Sequence, residues 1–409
     1  MPYSFLATAA FGLEGIVSNE LKRLGFSAKA EQGCARFSGE LADGFRANLC
    51  LRTADRVLLL LDEKPVFTFE ELFQFASSIP WEQYLERFSR IHVSGKCVRS
   101  QLMSVRDCQS IVKKAIVERL KKRLRTDTLP ETGPRVPIEI ALYRDQARLT
   151  IDMSGDALNR RGYRTWNGEA PLRETLAAAL LDVSPWRTRM PLYDPCCGTG
   201  TILIEAAIKA TARPAGIDRS FVCEDFPFMK AVPMAAIRQA EREKVPEDCP
   251  FSISGSDIDP EALELCCRHI HQAGFDGQIS VCRQDLRTLQ VPGEPGVFLC
   301  NPPYGERLDN VRAAHAVARQ LGKLQERNPE WALCAFSADM GFEREYGRRA
   351  TRRRRYYNGR IECEYHIFEP GTPDAGSSKG SPRGGKNGAP RGKFNGAPRR
   401  TESKQTRKG

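Results

Sequence analysis

Tyr193-Asp194-Pro195-Cys196-Cys197-Gly198-Thr199-Gly200-Thr201 reads as the end of a strand, a glycine turn and the start of an apolar helix, and its neighbours decide the fold. Gly198 and Gly200 have no side chains, so the backbone can approach a small ligand where the helix begins. The turn lacks the Gly-Lys-Ser/Thr of a P-loop and the third glycine of a dinucleotide fingerprint. Outward from it, strands are predicted at 191–194, 252–257, 279–283, 297–300, 331–337 and 361–368. Helices are predicted at 171–181, 201–212, 234–244, 260–273, 311–326 and near 341–346. This alternation argues for an α/β domain with an open, largely parallel sheet covered on both faces. Ligands of such sheets bind beyond the carboxyl ends of the strands, near a topological switch point.

The residues that follow each strand are therefore the candidates. In Ser256-Asp257-Ile258-Asp259-Pro260, Asp259 fits a helix N-cap with Pro260 at the first helical position. Asp257 sits at the strand tip, placed to accept hydrogen bonds from ribose hydroxyls. Gln284-Asp285 repeats that placement: Asp285 could take the exocyclic amine of an adenine, or be a plain cap or loop residue. The fourth strand runs into Asn301-Pro302-Pro303-Tyr304-Gly305. Its two prolines fix the backbone and remove donors. The Asn301 side-chain oxygen and the Pro302 carbonyl could then accept both protons of a planar NH₂ group, aiming its lone pair at an electrophile. Tyr304 offers a face for a base to stack on.

The N-terminal half has a different grammar. Over 2–61 a strand-helix-strand-helix-strand order suggests a small α+β module with a split β-α-β topology. The region 67–154 repeats that pattern, with helices at 70–77, 81–84 and 104–125, a strand at 90–98 and a hairpin from 136–142 and 146–153. The long helix gathers Lys113, Lys114, Lys121, Lys122, Arg123 and Arg125 toward its C-terminal half, either as a solvated face at the negative end of the helix dipole or as phosphate contacts. The connector 155–170 carries Arg160, Arg161, Tyr163, Arg164 and Trp166. Such interleaving can hold nucleic acid, though a run this short reads first as a linker packed on a domain.

Composition narrows the class. The 409 residues are 41% hydrophobic and 28% charged, as in soluble globular proteins. No apolar run approaches the roughly 20 residues of a membrane span, and the first residues do not read as a secretory signal, so the expectation is a cytoplasmic protein with no membrane partner. The 14 cysteines are scattered without any C-x-x-C and there are five histidines, so no metal is expected and the cysteines read as core residues in a reducing compartment. Of the net charge of +11, the segment 371–409 holds +8, which leaves +3 for the rest. That tail, rich in Gly, Pro, Ser, Lys and Arg, is expected to be disordered and to bind polyanions weakly.

Asp194 to Thr201, Ser256-Asp257-Ile258-Asp259 and Asn301-Pro302-Pro303-Tyr304-Gly305-Glu306-Arg307 resemble the class I S-adenosylmethionine-dependent RNA methyltransferases that carry an N-terminal THUMP domain. The bacterial branch that methylates N2 of guanosine in large-subunit ribosomal RNA is the nearest match; Gly162-Tyr163-Arg164, Ala170 to Leu176 and Tyr357-Asn358-Gly359 are also similar to it. The resemblance implies a ferredoxin-like module over 1–64, a THUMP domain over 65–155 and a Rossmann-like methyltransferase domain over 156–370, ahead of the 371–409 tail. It implies S-adenosylmethionine as cofactor, with Asp194, Cys197, Gly198 and Gly200 near its methionine part, Asp257 at its ribose and Asp285 at its adenine. Asn301, which would also border the cofactor, joins Pro302, Pro303 and Tyr304 at the target amine, and the implied partner is 23S ribosomal RNA. Two departures stand out. Asp257 lies 57 residues beyond Gly200, where a plain β-α-β unit places its acid roughly 20 on, so 213–250 is read as an insertion. Cys196 is an unusual residue at its position. The clamp holds any planar amine, so N2 methylation of transfer RNA, N6 methylation of adenine and methylation of a protein glutamine stay open, as does a non-catalytic RNA-binding assembly factor.

Overall fold

The computed structural model describes residues 2–164, 172–246, 249–291, 293–303 and 308–371. Tyr304, Trp166 and the tail from 372 onward lie outside the described residues. The chain opens with β1 (Tyr3–Thr8), α1 (Glu14–Arg23), β2 (Ala28–Glu31), β3 (Cys34–Gly39), α2 (Leu41–Cys50) and β4 (Arg56–Pro65). In space these strands run β2-β3-β1-β4, with β1 antiparallel to both of its neighbours. This is the expected split topology with one strand more than expected. The Ala-Lys-Ala-Glu of β2 offers only small alanines between its charges and buries none of its four residues, and it pairs with β3 as an edge strand.

The next block holds α3 (Phe69–Ser78), a 3₁₀ turn at Trp81–Gln83, β5 (Arg90–Val98), α4 (Val105–Leu124), β6 (Arg135–Tyr143) and β7 (Gln146–Asp152). Thr68 caps α3 by accepting from the Glu71 amide at 3.1 Å, and Ser104 caps α4 by accepting from Asp107, each satisfying an otherwise orphan N–H. Arg144 and Asp145, at φ 51° and 62°, turn the β6–β7 hairpin with the two positive φ values that a type I′ turn requires. β7 then pairs antiparallel with β4. The two N-terminal blocks therefore share one seven-stranded sheet, β2-β3-β1-β4-β7-β6-β5, in place of two separate ones.

The C-terminal half comprises α5 (Glu174–Val183), β8 (Leu192–Asp194), α6 (Thr201–Ala210), α7 (Met234–Arg242), β9 (Ile253–Asp257), α8 (Pro260–Ala273) and β10 (Ile279–Arg283). It continues through β11 (Val297–Cys300), α9 (Leu308–Arg327), β12 (Ala332–Ser337), α10 (Phe342–Tyr346), β13 (Arg352–Asn358) and β14 (Ile361–Phe368). The sheet order is β10-β9-β8-β11-β12-β14-β13. Its first five strands are parallel, and β14 and β13 are antiparallel. Strand order reverses between β8 and β11, so the switch point lies between the tips that carry Asp194 and Asn301. β13 was not expected, because Arg352 to Arg355 present four charges in a row.

The insertion 213–250 ties the two halves together. Its Phe221, Cys223, Phe226 and Met229 are buried in the same core as Phe45 of α2, Phe75 of α3 and Trp81 of the 3₁₀ turn. Phe221 stands edge-on to Phe45 with centroids 6.1 Å apart, Phe228 edge-on to Tyr84 at 5.4 Å, and Arg46 pairs with Glu241 at 2.6 Å. A charge cluster makes a second joint. Asp182 of α5 binds Arg52 at 2.9 Å, Arg23 at 2.5 Å and Lys209 at 3.0 Å. Burial pushes the Asp182 pKa up, but Arg52, Lys209 and Arg23 outweigh it and hold the carboxyl below its usual range. Phe221→Ala is expected to cost about 3–5 kcal/mol in a urea melt, as for other buried Phe→Ala changes. A loss under about 1 kcal/mol would mean the insertion does not brace the halves.

Candidate cofactor and substrate site

The glycine turn that follows β8 is held from several sides. The Cys197 amide donates to the Ser256 carbonyl at 3.0 Å, and the Gly198 amide donates to the Asp257 carboxylate at 2.8 Å. The other Asp257 oxygen accepts from the Asp259 amide at 3.0 Å, while Asp259 caps α8 through the Glu261 amide at 2.9 Å. Asp257 thus joins the tips of β8 and β9, and a carboxylate has lone pairs beyond the two used here. Gly200 caps α6 at φ +84°, and a Cβ there would sit 2.6 Å from the Cys266 sulfur of α8. Only glycine satisfies both the conformation and the close approach of the two helices.

Beside this turn opens a cleft of about 550 Å³, within the range of small-ligand sites. Of the sequence candidates, Asp194, Cys197, Gly198 and Asn301 line it together. Asp257 and Gly200 do not line it: Asp257 holds the turn through the Gly198 amide, and Gly200 starts the helix behind it. Asp285 is placed differently: among the described residues its carboxylate is engaged by Arg287, at 2.5 Å to the guanidinium, which depresses its pKa to about 2. It is not among the residues that line the cleft. Pro302 is buried and Pro303 exposed directly after Asn301.

Asp194 is 1% exposed and accepts from the Cys196 amide at 3.0 Å. Burial raises its pKa well above the ordinary carboxylate value and the nearby Asp257 charge adds to the rise, against the lowering effect of the Cys196 amide.

Three features of the site were not assigned from sequence. The fully buried His269 of α8 places Nδ1 3.0 Å from the Thr199 carbonyl. Burial holds its pKa down, so the neutral ring donates Nδ1–H and fixes the turn. His269 follows Leu263 and Cys266 at three-residue spacing on the buried stripe of α8, which was the readable signal. Arg164 donates to the Thr201 hydroxyl and pairs with Glu174 at 3.4 Å. Arg161 and Tyr163 are buried against Glu205, so this part of the connector packs as a linker. Glu261, Ala262 and Leu265 supply the α8 wall of the cleft. Among the described residues, no group of three His, Cys, Asp or Glu could hold a metal ion, and no helix is long and apolar enough to cross a membrane.

Two predictions follow from these contacts. Gly200→Ala should destabilise by about 1–3 kcal/mol from strain and overpacking, and Cys266→Ala should recover part of that loss; a double-mutant cycle in urea that shows strict additivity would refute the contact. The raised folded pKa of Asp194 means its favourable contribution is complete below the unfolded value and disappears as pH rises through the folded value. Asp194→Asn removes that titration, so the ligand-free variant should gain stability relative to the parent as pH climbs from 4 toward 8. A difference in melting temperature that does not change with pH would contradict the assignment.

Comparison with known proteins agrees with this architecture. Residues 4–58 match the RlmL ferredoxin-like domain, residues 67–152 the THUMP domain, and residues 161–367 the family described as RMKL-like, methyltransferase domain. "Putative RNA methyltransferase YpsC" of Bacillus subtilis is 38% identical over 90% of this chain and 96% of its own. "Ribosomal RNA large subunit methyltransferase K/L" of Syntrophotalea carbinolica is 32% identical over 93% of this chain, which spans 56% of that longer protein. A solved structure described as a "predicted N6-adenine-specific DNA methylase" from Listeria monocytogenes superposes with a TM-score of 0.87 at 39% identity, covering 90% of this chain and 97% of that one. Another, "SMU.472, a putative methyltransferase complexed with SAH", gives a TM-score of 0.86 at 34% identity, covering 91% and 99%. The class I fold and these matches bear out S-adenosylmethionine as the cofactor. With a ferredoxin-like block, a THUMP domain and this methyltransferase sheet in one chain, the protein belongs to the RMKL-like methyltransferase family.

Proposed function

We propose that this protein is an RNA methyltransferase that transfers the methyl group of S-adenosylmethionine to the exocyclic N2 of a guanosine in 23S ribosomal RNA, in the cytoplasm. The observation that carries the reading is the shared cleft: Asn301 borders the same space as the glycine turn and Asp194. An amine held by Asn301 is thereby brought to the cofactor's position. Similarity to the K/L protein of S. carbinolica favours large-subunit RNA. We take 1–64, 65–155 and 156–370 as the working domain limits.

The cofactor, when bound, supplies a methyl group activated on a sulfonium. The chain's residues do the positioning. Asp194 offers a buried carboxylate to the cationic part of the cofactor, and the turn set by Gly198 and Gly200 brings backbone and Cys197 close to it. Asp257 has spare lone pairs for the ribose, and Asp285 would meet the adenine after exchanging Arg287 for it. The Asn301 side-chain oxygen and the Pro302 carbonyl accept the two protons of the guanine amine, Pro303 keeps that segment rigid, and Tyr304 stacks on the flipped base. The amine lone pair is conjugated with the ring, so orientation and proximity account for most of the rate. Asn301 cannot act as a base, and the proton leaves to water after transfer.

Labelled cofactor incubated with separate ribosomal and transfer RNA, followed by nucleoside digestion, tests the reading. Label is expected in N2-methylguanosine from large-subunit RNA. Label confined to N6-methyladenosine or to transfer RNA would replace it with one of the rivals. Asn301→Ala should lower kcat by about 10²-fold or more through lost orientation. Unchanged turnover in that variant would remove Asn301 from the mechanism.

A further inference from the structure

The β13–β14 hairpin stands at the edge of the catalytic sheet and is unused by the site above. Register places it. Cys300 of β11 pairs with Ala335, Ala335 with His366, and His366 with Arg353. Asn301 is therefore level with Arg354, three strands away, or roughly 14 Å at the usual strand spacing. β12 ends at Ser337 opposite Glu364, yet the hairpin continues through Tyr356, Tyr357 and Asn358. It forms a wall that rises past the strand tips on the side where Asn301 opens.

The N-terminal sheet adds a residue to this wall. The loop after β1 packs on it so closely that a Cβ at Gly12 would lie 3.3 Å from the Arg355 carbonyl oxygen. Phe11 is left 65% exposed, its ring edge-on to Tyr357 with centroids 5.9 Å apart. Tyr357 is fixed by donating to Glu362 at 3.0 Å, and Arg355 pairs with that same Glu362 at 3.1 Å. Arg360 lies in the two-residue turn between β13 and β14, next to the Tyr357–Glu362 pair, and is exposed with no ion pair among the described residues. An exposed aromatic edge with such a guanidinium group close along the same hairpin has the chemistry of a single-stranded nucleic-acid surface, with a ring for a base and a cation for a phosphate.

We propose that Phe11, Tyr357 and Arg360 form a docking wall for single-stranded RNA next to the target nucleotide, with a flanking base on the Phe11–Tyr357 pair and its phosphate on Arg360. The proposal rests on the RNA reading of the site. It predicts that specificity for the flanking sequence is built jointly by the N-terminal sheet and the catalytic sheet.

The full chain is assayed with a large-subunit RNA fragment, reading KM, kcat, salt dependence and S-adenosylhomocysteine affinity. Phe11→Ala should raise KM for RNA about tenfold, and Phe11→Trp should retain the parent value because it keeps the aromatic face. The Arg360→Ala variant should reduce the slope of log affinity against log salt by about 0.7, one contact at the single-strand value. S-adenosylhomocysteine affinity should be unchanged in all three. If the parent protein methylates the RNA and these variants match it in KM and salt slope, the docking wall is wrong while the functional reading stands. If the parent methylates no RNA, both fall. A loss of S-adenosylhomocysteine binding in Phe11→Ala would assign Phe11 a structural role and overturn its part in RNA binding.

Discussion

The hydrogen bond from the Gly198 amide to Asp257 organises the centre of this protein. It ties the turn after β8 to the tip of β9, and the same carboxylate, through the Asp259 amide, orders the entry into α8. α8 then returns two restraints to the turn: the Cys266 sulfur, which excludes any side chain at position 200, and the His269 ring, which donates to the Thr199 carbonyl. A turn fixed in this way spends no further ordering entropy on meeting a ligand, which is the physical content of preorganisation. The cost falls on Asp194. Burial forces its carboxyl toward the neutral form, and the Asp257 charge that stabilises the turn adds to that pressure.

Much of this arrangement was legible in the sequence, for stated reasons. Strands β11 and β12 are largely apolar, β8 and β9 end in Asp194 and Asp257, and α8 announces itself by Asp259-Pro260 at its start and Gly274 at its end. The two strands that escaped notice, β2 and β13, are edges. Their exposed Lys, Glu and Arg side chains give no period-2 pattern on a buried face, and charged edges of this kind discourage pairing with other chains. The spacing between Gly200 and Asp257 revealed an insertion. Its purpose was not readable, because Phe221 finds Phe45 across 176 residues of sequence, and no local pattern encodes the partner. Asp285 shows the opposite limit: the strand-tip position was legible, but its engagement by Arg287 two residues away depends on a rotamer.

The continuous seven-stranded N-terminal sheet changes how its relation to the catalytic half is understood. Two separate modules on linkers would sample many orientations, since interfaces between domains of one chain are commonly small and polar. Here β4–β7 pairing fuses the modules, and an aromatic core and a cluster of charges around Asp182 fasten the result to α5 and α6. These joints differ in kind. The aromatic contacts bury apolar area without directional demands, whereas Arg52, 11% exposed at its side chain, is held between Asp182 at 2.9 Å and Glu20 at 3.6 Å. Removing Asp182 would leave Arg52, Arg23 and Lys209 to repel one another around a buried site.

Rigidity of this kind bears on the choice of nucleotide. On the proposed reading, RNA held by the N-terminal sheet would be carried at a set distance from Asn301, because the loop bearing Phe11 and the strand bearing Tyr357 are in contact. In that reading the clamp would accept any planar amine, and the separation between the N-terminal sheet and the cleft, which Phe221, Phe226 and Asp182 maintain, would decide which amine arrives. Loosening the brace would therefore broaden the set of methylated positions before it abolished methylation, since the turn around Gly198 is held by contacts within the catalytic sheet and does not depend on the brace.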